Sequence, residues 1–514
     1  MKNSGKILRG GFWVLLIASI CLGYFKITET SEVDHYKYIP SGVDGVVVFD
    51  ARKISKKFVD RFRYNPGGLE DLMPNKLSSG EGEFQNLGID PFYKMVMFHF
   101  SLDNHNYGAF LMKCDSRTFL KFLDELPDIE FQGEDNVING IVTRNFELPV
   151  QKGTVCVGNG VGICCFSLDG NPIGNKEQDE LNSFLTEAMI APDQGLLASD
   201  SNFQDFSKVN EDVAYWSNGK TIGFGGMSND FVDSRTYCSF EQGEVVIDAE
   251  LDFLESCPLK PDVKALNSSA PFALSFMVEE QHSSKFVNEI VPKAFRKFLD
   301  GYNGNFFLEI SGHQLYQGYH VADSIDEETF ETYEVLVKNE MLTPFPKFTT
   351  VFGVNDIARY EENLKLDTAY QMKDEYYEFE LLQGVPCYIN VMKNNVCISN
   401  DQSQLKHIQN TPPEEIYATY SILLDFVALK ESFPLKGDLG IGVPNVLVHT
   451  GFDMLNFEKL YVDVVEVTES KVKGHGAFKF KDPDRHSIEA ILEMGELGIS
   501  NRGIIEGMLF QSER

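Results

Sequence analysis

Apolar and polar positions along this chain repeat a single pattern. An apolar run of strand length ends in Asp or Asn, and an amphipathic helical stretch comes next. The runs at 46–49, 109–114, 351–354 and 421–424 close on Asp50, Asp115, Asn355-Asp356 and Asp425, and helical spacing then covers 51–62, 116–126, 357–364 and 426–433. In the second of these, Phe119, Phe122, Leu123 and Leu126 fall on one helical face. The short acid side chain suits a helix N-cap, because it can accept from N–H groups that the first turn leaves unpaired.

Two of these helices lead into segments that also repeat. Strand-like segments at 140–146, 153–157 and 162–166 come after the first, with Asn159-Gly160 at a tight turn. Segments at 376–382, 386–391 and 395–399 come after the second, with Lys393-Asn394 at the turn. The spans 108–168 and 347–400 therefore read as two copies of a strand-helix-meander module. Alternation at 244–253, 461–467 and 474–480 predicts further sheet strands, and 274–278 and 306–310 are short apolar runs. Helices are expected at 176–192, 283–300, 326–340 and 486–497. The expected fold is α+β: duplicated modules forming antiparallel sheets with helices on one face. Breaks at 256–269, 342–348 and 411–413 suggest a first half over 39–260 and a second over 266–514.

The N-terminus has a different pattern. Lys2, Lys6 and Arg9 precede the apolar run 12–25, and Lys26 follows it. Positive charge stays on the cytoplasmic side, so residues 1–27 read as a signal or anchor segment and 28–38 as a polar tether. The run is shorter than the about 20 residues of a full span, and flanking residues with a snorkelling Lys26 supply the remaining length. No A-x-A cleavage pattern occurs before residue 31, and Ile20 rather than a small residue precedes Cys21. A cleaved signal or a lipid-modified Cys21 would need those features, whereas a retained anchor needs neither. The expected location is the inner membrane, held through residues 12–25, with the body in the periplasm or otherwise outside the cytoplasm.

Charge narrows the partners. The chain carries −32, and subtracting the +4 of residues 1–26 leaves −36 for the rest. Such a body repels nucleic-acid phosphates and anionic lipid, which argues against nucleic-acid binding and leaves cations and basic proteins as partners. Phe is abundant at 41 and Trp scarce at 2, so apolar surface is plentiful without a sugar-stacking composition. The nine cysteines show no Cys-x-x-Cys spacing, and most sit in apolar strand-like runs, where a free thiol behaves as a small hydrophobe. One or two disulfides would suit an oxidising compartment, with pairing left open.

The Tyr38-Ile39-Pro40 opening just after the export segment, the element order and the length together resemble a group of Bacteroidetes envelope proteins that carry a domain of unknown function. The resemblance covers most of 36–500. It implies an envelope location and duplicated α+β modules, and it transfers no catalytic residue. The chain departs from those relatives that are lipoproteins at Ile20-Cys21.

No local motif carries chemistry. H-E-x-x-H is absent, and His99 with His105, and His313 with His320, are the closest histidine pairs worth following. The glycines at 158–162 and 223–227 lack the Lys of a phosphate loop, and G-x-S-x-G is absent. The acids at 323–328 and Asp482-Pro483-Asp484 lack the ligand alternation of a calcium loop. No catalytic, cofactor-binding or metal-ligating residue is assigned, and no cofactor is expected. The reading is a membrane-tethered binding or scaffolding protein with a protein partner. The alternatives are an envelope hydrolase with a site assembled from remote loops, and a carrier of an apolar ligand.

Overall fold

The structure is a computed structural model. It describes residues 34–54, 56–57, 94–103, 105–125, 130–148, 151–168, 174–219, 231–254, 256–266, 268–281, 297–299, 301–317, 319–325, 332–338, 342–373, 375–382, 385–432 and 456–491. The expected signal or anchor segment and the first part of the expected tether lie outside these residues. So do the glycines at 223–227, nearly all of the helix expected at 283–300, and the parts of the helices expected at 51–62 and 486–497 beyond residues 57 and 491. Among the described residues no helix is long and apolar enough to cross a membrane. The fold is α+β and mostly antiparallel sheet. The chain divides into two compact units, 1–223 with 228–240, and 224–227 with 241–514. The break at 256–269 lies inside the second.

The first unit contains β1 (Gly45–Phe49), β2 (Met95–Leu102), β3 (His105–Lys113), helix α1 (Ser116–Asp124), β4 (Glu130–Ile138), β5 (Ile141–Leu148), β6 (Gln151–Gly158), β7 (Val161–Ser167), helix α2 (Asn175–Ile190), β8 (Val213–Ser217) and β9 (Phe231–Phe240). Its strands pair antiparallel in the order β9-β8-β1-β2-β3-β7-β6-β5-β4. The meander has four strands rather than three. β4 is acidic and polar enough to read as a linker, but it pairs with β5 through a second Asn-Gly turn, where Asn139 and Gly140 take φ of 52° and 79°. Asn159 and Gly160 do the same between β6 and β7, as expected.

Residues 34–38 of the expected tether are part of the body. They form a 3-10 turn whose Tyr36 and Tyr38 are buried, and Tyr36 meets the Phe203 ring edge-on at 6.1 Å.

The second unit contains β10 (Glu244–Phe253), β11 (Phe272–Met277), β12 (Tyr302–Tyr316), β13 (Tyr319–Ile325), β14 (Thr332–Lys338), β15 (Thr343–Val354), helix α3 (Ile357–Leu366), β16 (Gln371–Lys373), β17 (Tyr376–Leu382), β18 (Val385–Val391), β19 (Asn395–Ser399), helix α4 (Gln402–Gln409), β20 (Tyr420–Asp425), β21 (Phe457–Val467) and β22 (Lys471–Phe480). The sheet order is β10-β22-β21-β20-β11-β12-β15-β19-β18-β17-β16. β13 and β14 form a separate two-stranded ribbon. The helix expected at 326–340 is therefore a strand over 332–338. The acids of that stretch suggest a helix, but Tyr333, Val335 and Val337 alternate, and period two prevails. β10, β22 and β21 carry opposite charges across the strands: Lys471 Nζ lies 3.2 Å from Asp252, and Lys473 Nζ lies 2.7 Å from Glu466.

The expected N-caps all form. Asp50, Asp115, Asp356 and Asp425 accept from the backbone N–H of Lys53, Thr118, Arg359 and Ala428 at 2.8–3.0 Å.

The helices do not share one face, and this corrects the expected architecture. In the first unit α1 packs Phe119 and Leu123 against Phe146, Val155 and Val157. Helix α2 packs Leu181, Leu185 and Met189 in a different core with Ile141, Cys156, Ile163 and Cys165. Val155 and Cys156 are neighbours on β6 and point to opposite faces. In the second unit Tyr360 and Leu364 of α3 share a core with Phe352, Val396 and Ile398, while Leu405 and Ile408 of α4 pack with Val351 and Cys397. The cause is composition: β19 is buried at every position and β7 nearly so, and a strand apolar on both sides needs cover on both.

Among the described cysteines, Cys114, Cys156, Cys164, Cys165, Cys257, Cys387 and Cys397 are free thiols, and most are in these cores. Burial pushes the Cys387 thiol up to about 12 and those of Cys156 and Cys164 up to about 11.

The two-sided packing predicts that Phe119→Ala and Leu181→Ala each destabilise the first unit, by about 3–5 and about 2–5 kcal/mol. Asp115→Ala should also lower stability, by a smaller amount than either, through the lost cap. Denaturant unfolding monitored by circular dichroism measures all three, and a near-neutral Phe119→Ala would mean that α1 covers nothing.

Candidate functional site

The histidines singled out in the sequence do not meet. His99 stands on β2 opposite Gly108, and His105 opposite Leu102 on the β2–β3 hairpin, so their side chains leave opposite faces of the sheet. His99 faces Tyr215 of β8, with Nε2 3.4 Å from the hydroxyl and the rings nearly parallel. A Cβ on Gly45 would collide with that Nε2, so the glycine leaves the space the pair occupies. Burial lowers the His99 pKa, against the opposing pull of Asp44. Asp44 is held by the Ser101 N–H at 3.0 Å. His313 lies on β12 in the main sheet of its unit and His320 on the β13–β14 ribbon, so the two stand on strands that do not pair with each other. Of the acids at 323–328, Asp323 pairs across the ribbon with Glu334, and 326–328 lie outside the described residues. Among the described residues no group of His, Cys, Asp or Glu could hold a metal ion.

What the second unit does build is a groove of about 670 Å³. Three elements enclose it. β12 provides Phe307, Glu309 and Ser311; the loop before β11 provides Ser268, Ser269, Ala270 and Pro271; and α4 with the turn after it provides Ser403, Gln404, His407, Ile408, Thr411, Glu415 and Ile416. The volume lies within the range of small-ligand sites. A smaller groove in the first unit, about 250 Å³, is lined by Pro40, Phe184, Glu187 and Ile190 among others.

Each wall of the larger groove is fixed locally. β12 carries Glu309 opposite Ala273 on one side and Thr349 on the other, in the middle of the sheet. The register then shifts between Ile310 and Gly312, and Ser311 is the extra residue of this bulge, a device common beside binding sites. The 268–271 loop is pinned at both ends: Ser268 Oγ donates to Glu309 at 3.2 Å, and Asp425 N–H donates to the Pro271 carbonyl at 2.7 Å. Helix α4 begins at Asp401, whose side chain accepts from the Ser403 N–H at 2.9 Å, and is seated by buried Leu405 and Ile408. Thr411 Oγ1 donates to the His407 carbonyl at 3.0 Å and closes its C-terminal end.

Glu309 is the chemical centre of the groove. Its Oε2 accepts from Ser268 Oγ at 3.2 Å, and among the described residues no lysine or arginine pairs with it or lines the groove. Burial raises its pKa, while the Ser268 hydroxyl and nearby His407 pull the other way. Glu309 and His407 have no signal in the sequence: they are far apart, on different elements, and join no motif. The one local hint is the period of 306–310, which places a charged Glu309 within an apolar run.

Comparison with known proteins adds little. Solved structures of TP0453 are similar to part of the chain. Crystal form IV of that protein aligns over 43% of this chain and 81% of its own, at 11% identity and a TM-score of 0.25. Crystal form I aligns over 46% and 83%, at 11% and 0.24. Likeness at that level carries no argument about fold or function. No family model matches the chain, and no curated protein matches it.

The raised pKa of Glu309 has a sign that can be measured. Between the ordinary carboxylate range and its own higher value, the folded chain holds a proton that the unfolded chain has released. Stability from this group is therefore present at low pH and lost as pH rises through that window. Glu309→Gln keeps an acceptor for Ser268 and removes the cost of the buried charge. The variant should melt above the parent at neutral pH, and the gap should close toward about pH 4, near the unperturbed Glu value. Thermal melts across pH check this, and a variant that melts lower at neutral pH refutes it.

Proposed function

We propose that this chain is a membrane-tethered, extracytoplasmic binding protein without catalytic activity, and that the groove of its second unit is the binding site. The groove itself carries the reading: about 670 Å³ of space, walled by three separately pinned elements, with a half-buried carboxylate that no lysine or arginine among the described residues neutralises. The basic-then-apolar order of residues 1–26 supports the tether, and the charge of the rest favours a basic or cationic partner over nucleic acid. The inner membrane with a periplasmic body, and membership of the Bacteroidetes envelope group, belong to the same proposal.

We propose further that the two units are divergent copies of one module. The order β9-β8-β1-β2-β3-β7-β6-β5-β4 in the first is matched element for element by β21-β20-β11-β12-β15-β19-β18-β17-β16 in the second. In each, a capped helix follows β3 or its counterpart β15, and another helix follows β7 or its counterpart β19. A second reading, an envelope hydrolase with a remotely assembled site, is favoured by one observation: Glu309, His407 and Ser268 come from distant parts of the chain to one groove.

Two measurements test the first reading. Full-length protein should sediment with membranes and resist salt washing, while a version starting at Ser31 stays in solution. Recovery of the full-length chain in the cytosolic fraction would sink the tether. Molecules that co-purify from intact membranes should be lost on Ser311→Trp, which fills the groove. An unchanged set in a folded variant means that binding lies elsewhere.

A further inference from the structure

A half-buried carboxylate is costly when its charge is unmatched, and the cost is relieved by a partner cation that also hydrogen-bonds. Glu309 has one neutral donor, the Ser268 hydroxyl at 3.2 Å, and faces open groove. An ammonium ion there could donate to the carboxylate and to the oxygen atoms around it, because Ser268, Ser311 and Thr411 can all act as acceptors. Ala270, Pro271, Ile408 and Ile416 supply aliphatic surface to the lining beside Phe307, which suits a methylene stem. No Tyr or Trp is among the described residues of the groove, and the Phe307 ring is sunk in the core at 3% exposure, so a stacked sugar or a quaternary ammonium cage has no open platform. A second carboxylate, Glu415, stands exposed on the one-turn helix Pro413–Ile416 after α4, within the same lining. His407 is the only basic side chain described there.

We propose that the groove binds an aliphatic diamine or polyamine, with one ammonium group on Glu309, the stem along Ile408, Ile416 and Pro271, and a further ammonium group toward Glu415. This rests on the groove being the protein's binding site and names the class of ligand it takes. The two contacts differ in strength. The ammonium group on half-buried Glu309 is partly shielded from water and makes a charge-assisted hydrogen bond, whereas the contact with Glu415 lies at the surface and is screened by salt.

Calorimetric titration of the full-length protein in detergent with spermidine tests the inference, with octanediol as an uncharged chain of comparable length. Spermidine should bind saturably and octanediol should not. Glu309→Gln should weaken spermidine binding roughly ten-fold or more, and Glu415→Gln by roughly two- to three-fold, the latter difference shrinking in high salt. Absence of saturable heat with spermidine, equal binding of octanediol, or unchanged affinity in folded Glu309→Gln would each overturn the proposal. The contrast between the two probes on the unaltered protein decides the matter even if a variant fails to fold. If spermidine does not bind but Ser311→Trp still strips co-purifying molecules, the ligand class is wrong and the groove remains the binding site. If Ser311→Trp changes neither, the groove itself is the error.

Discussion

Strands β7 and β19 are apolar on both sides, and much of the structure depends on that constraint. A strand with one polar face can leave that face in water. β19, with Asn395, Val396, Cys397, Ile398 and Ser399 all buried, cannot. Its even and odd positions feed two separate cores, one closed by α3 and the other by α4. The helix after the strand and the helix after the meander are therefore both needed, and the polar caps at Asp356 and Asp401 set where each begins. The groove is a by-product of the same demand. Helix α4 must lie across the sheet to cover Cys397 and Val351, and the gap it leaves over Glu309 and Ser311 is the groove.

Much of this is legible one residue at a time. The apolar run closed by an acid marks strand ends and helix starts, because capping is a local hydrogen bond that needs no tertiary information. Asn159-Gly160 marks its turn for the same reason, since both residues must accept positive φ. The illegible parts depend on partners distant in sequence. β4 carries too many acids to read as a strand, and only its pairing with β5 makes it one. The stretch around Val335 reads as a helix because the propensity of its acids outweighs a short alternation. The single-face expectation fails for a related reason: a continuous apolar run such as Val396-Cys397-Ile398 announces burial on both sides, not merely a strand.

The site is less legible than the fold. Histidine pairs close in sequence invite a joint role, yet the alternation of a strand sends His99 and His105 to opposite sides. Glu309 is hidden inside an apolar run, and its neighbours Ser268 and His407 reach it only through the cross-strand pairing of β11 and β12 and the placement of α4. Sites assembled by a sheet in this way leave no spacing to find.

The buried thiols set a condition on how the chain reaches this state. Cys156, Cys165, Cys387 and Cys397 are fully enclosed once the cores close, and burial suppresses their thiolate form. Before closure the same thiols are open to oxidants. In an oxidising compartment, folding and disulfide formation therefore race each other. A chain whose meanders assemble quickly locks its cysteines away reduced, and one that lingers is diverted into cross-links that the packed cores have no room for.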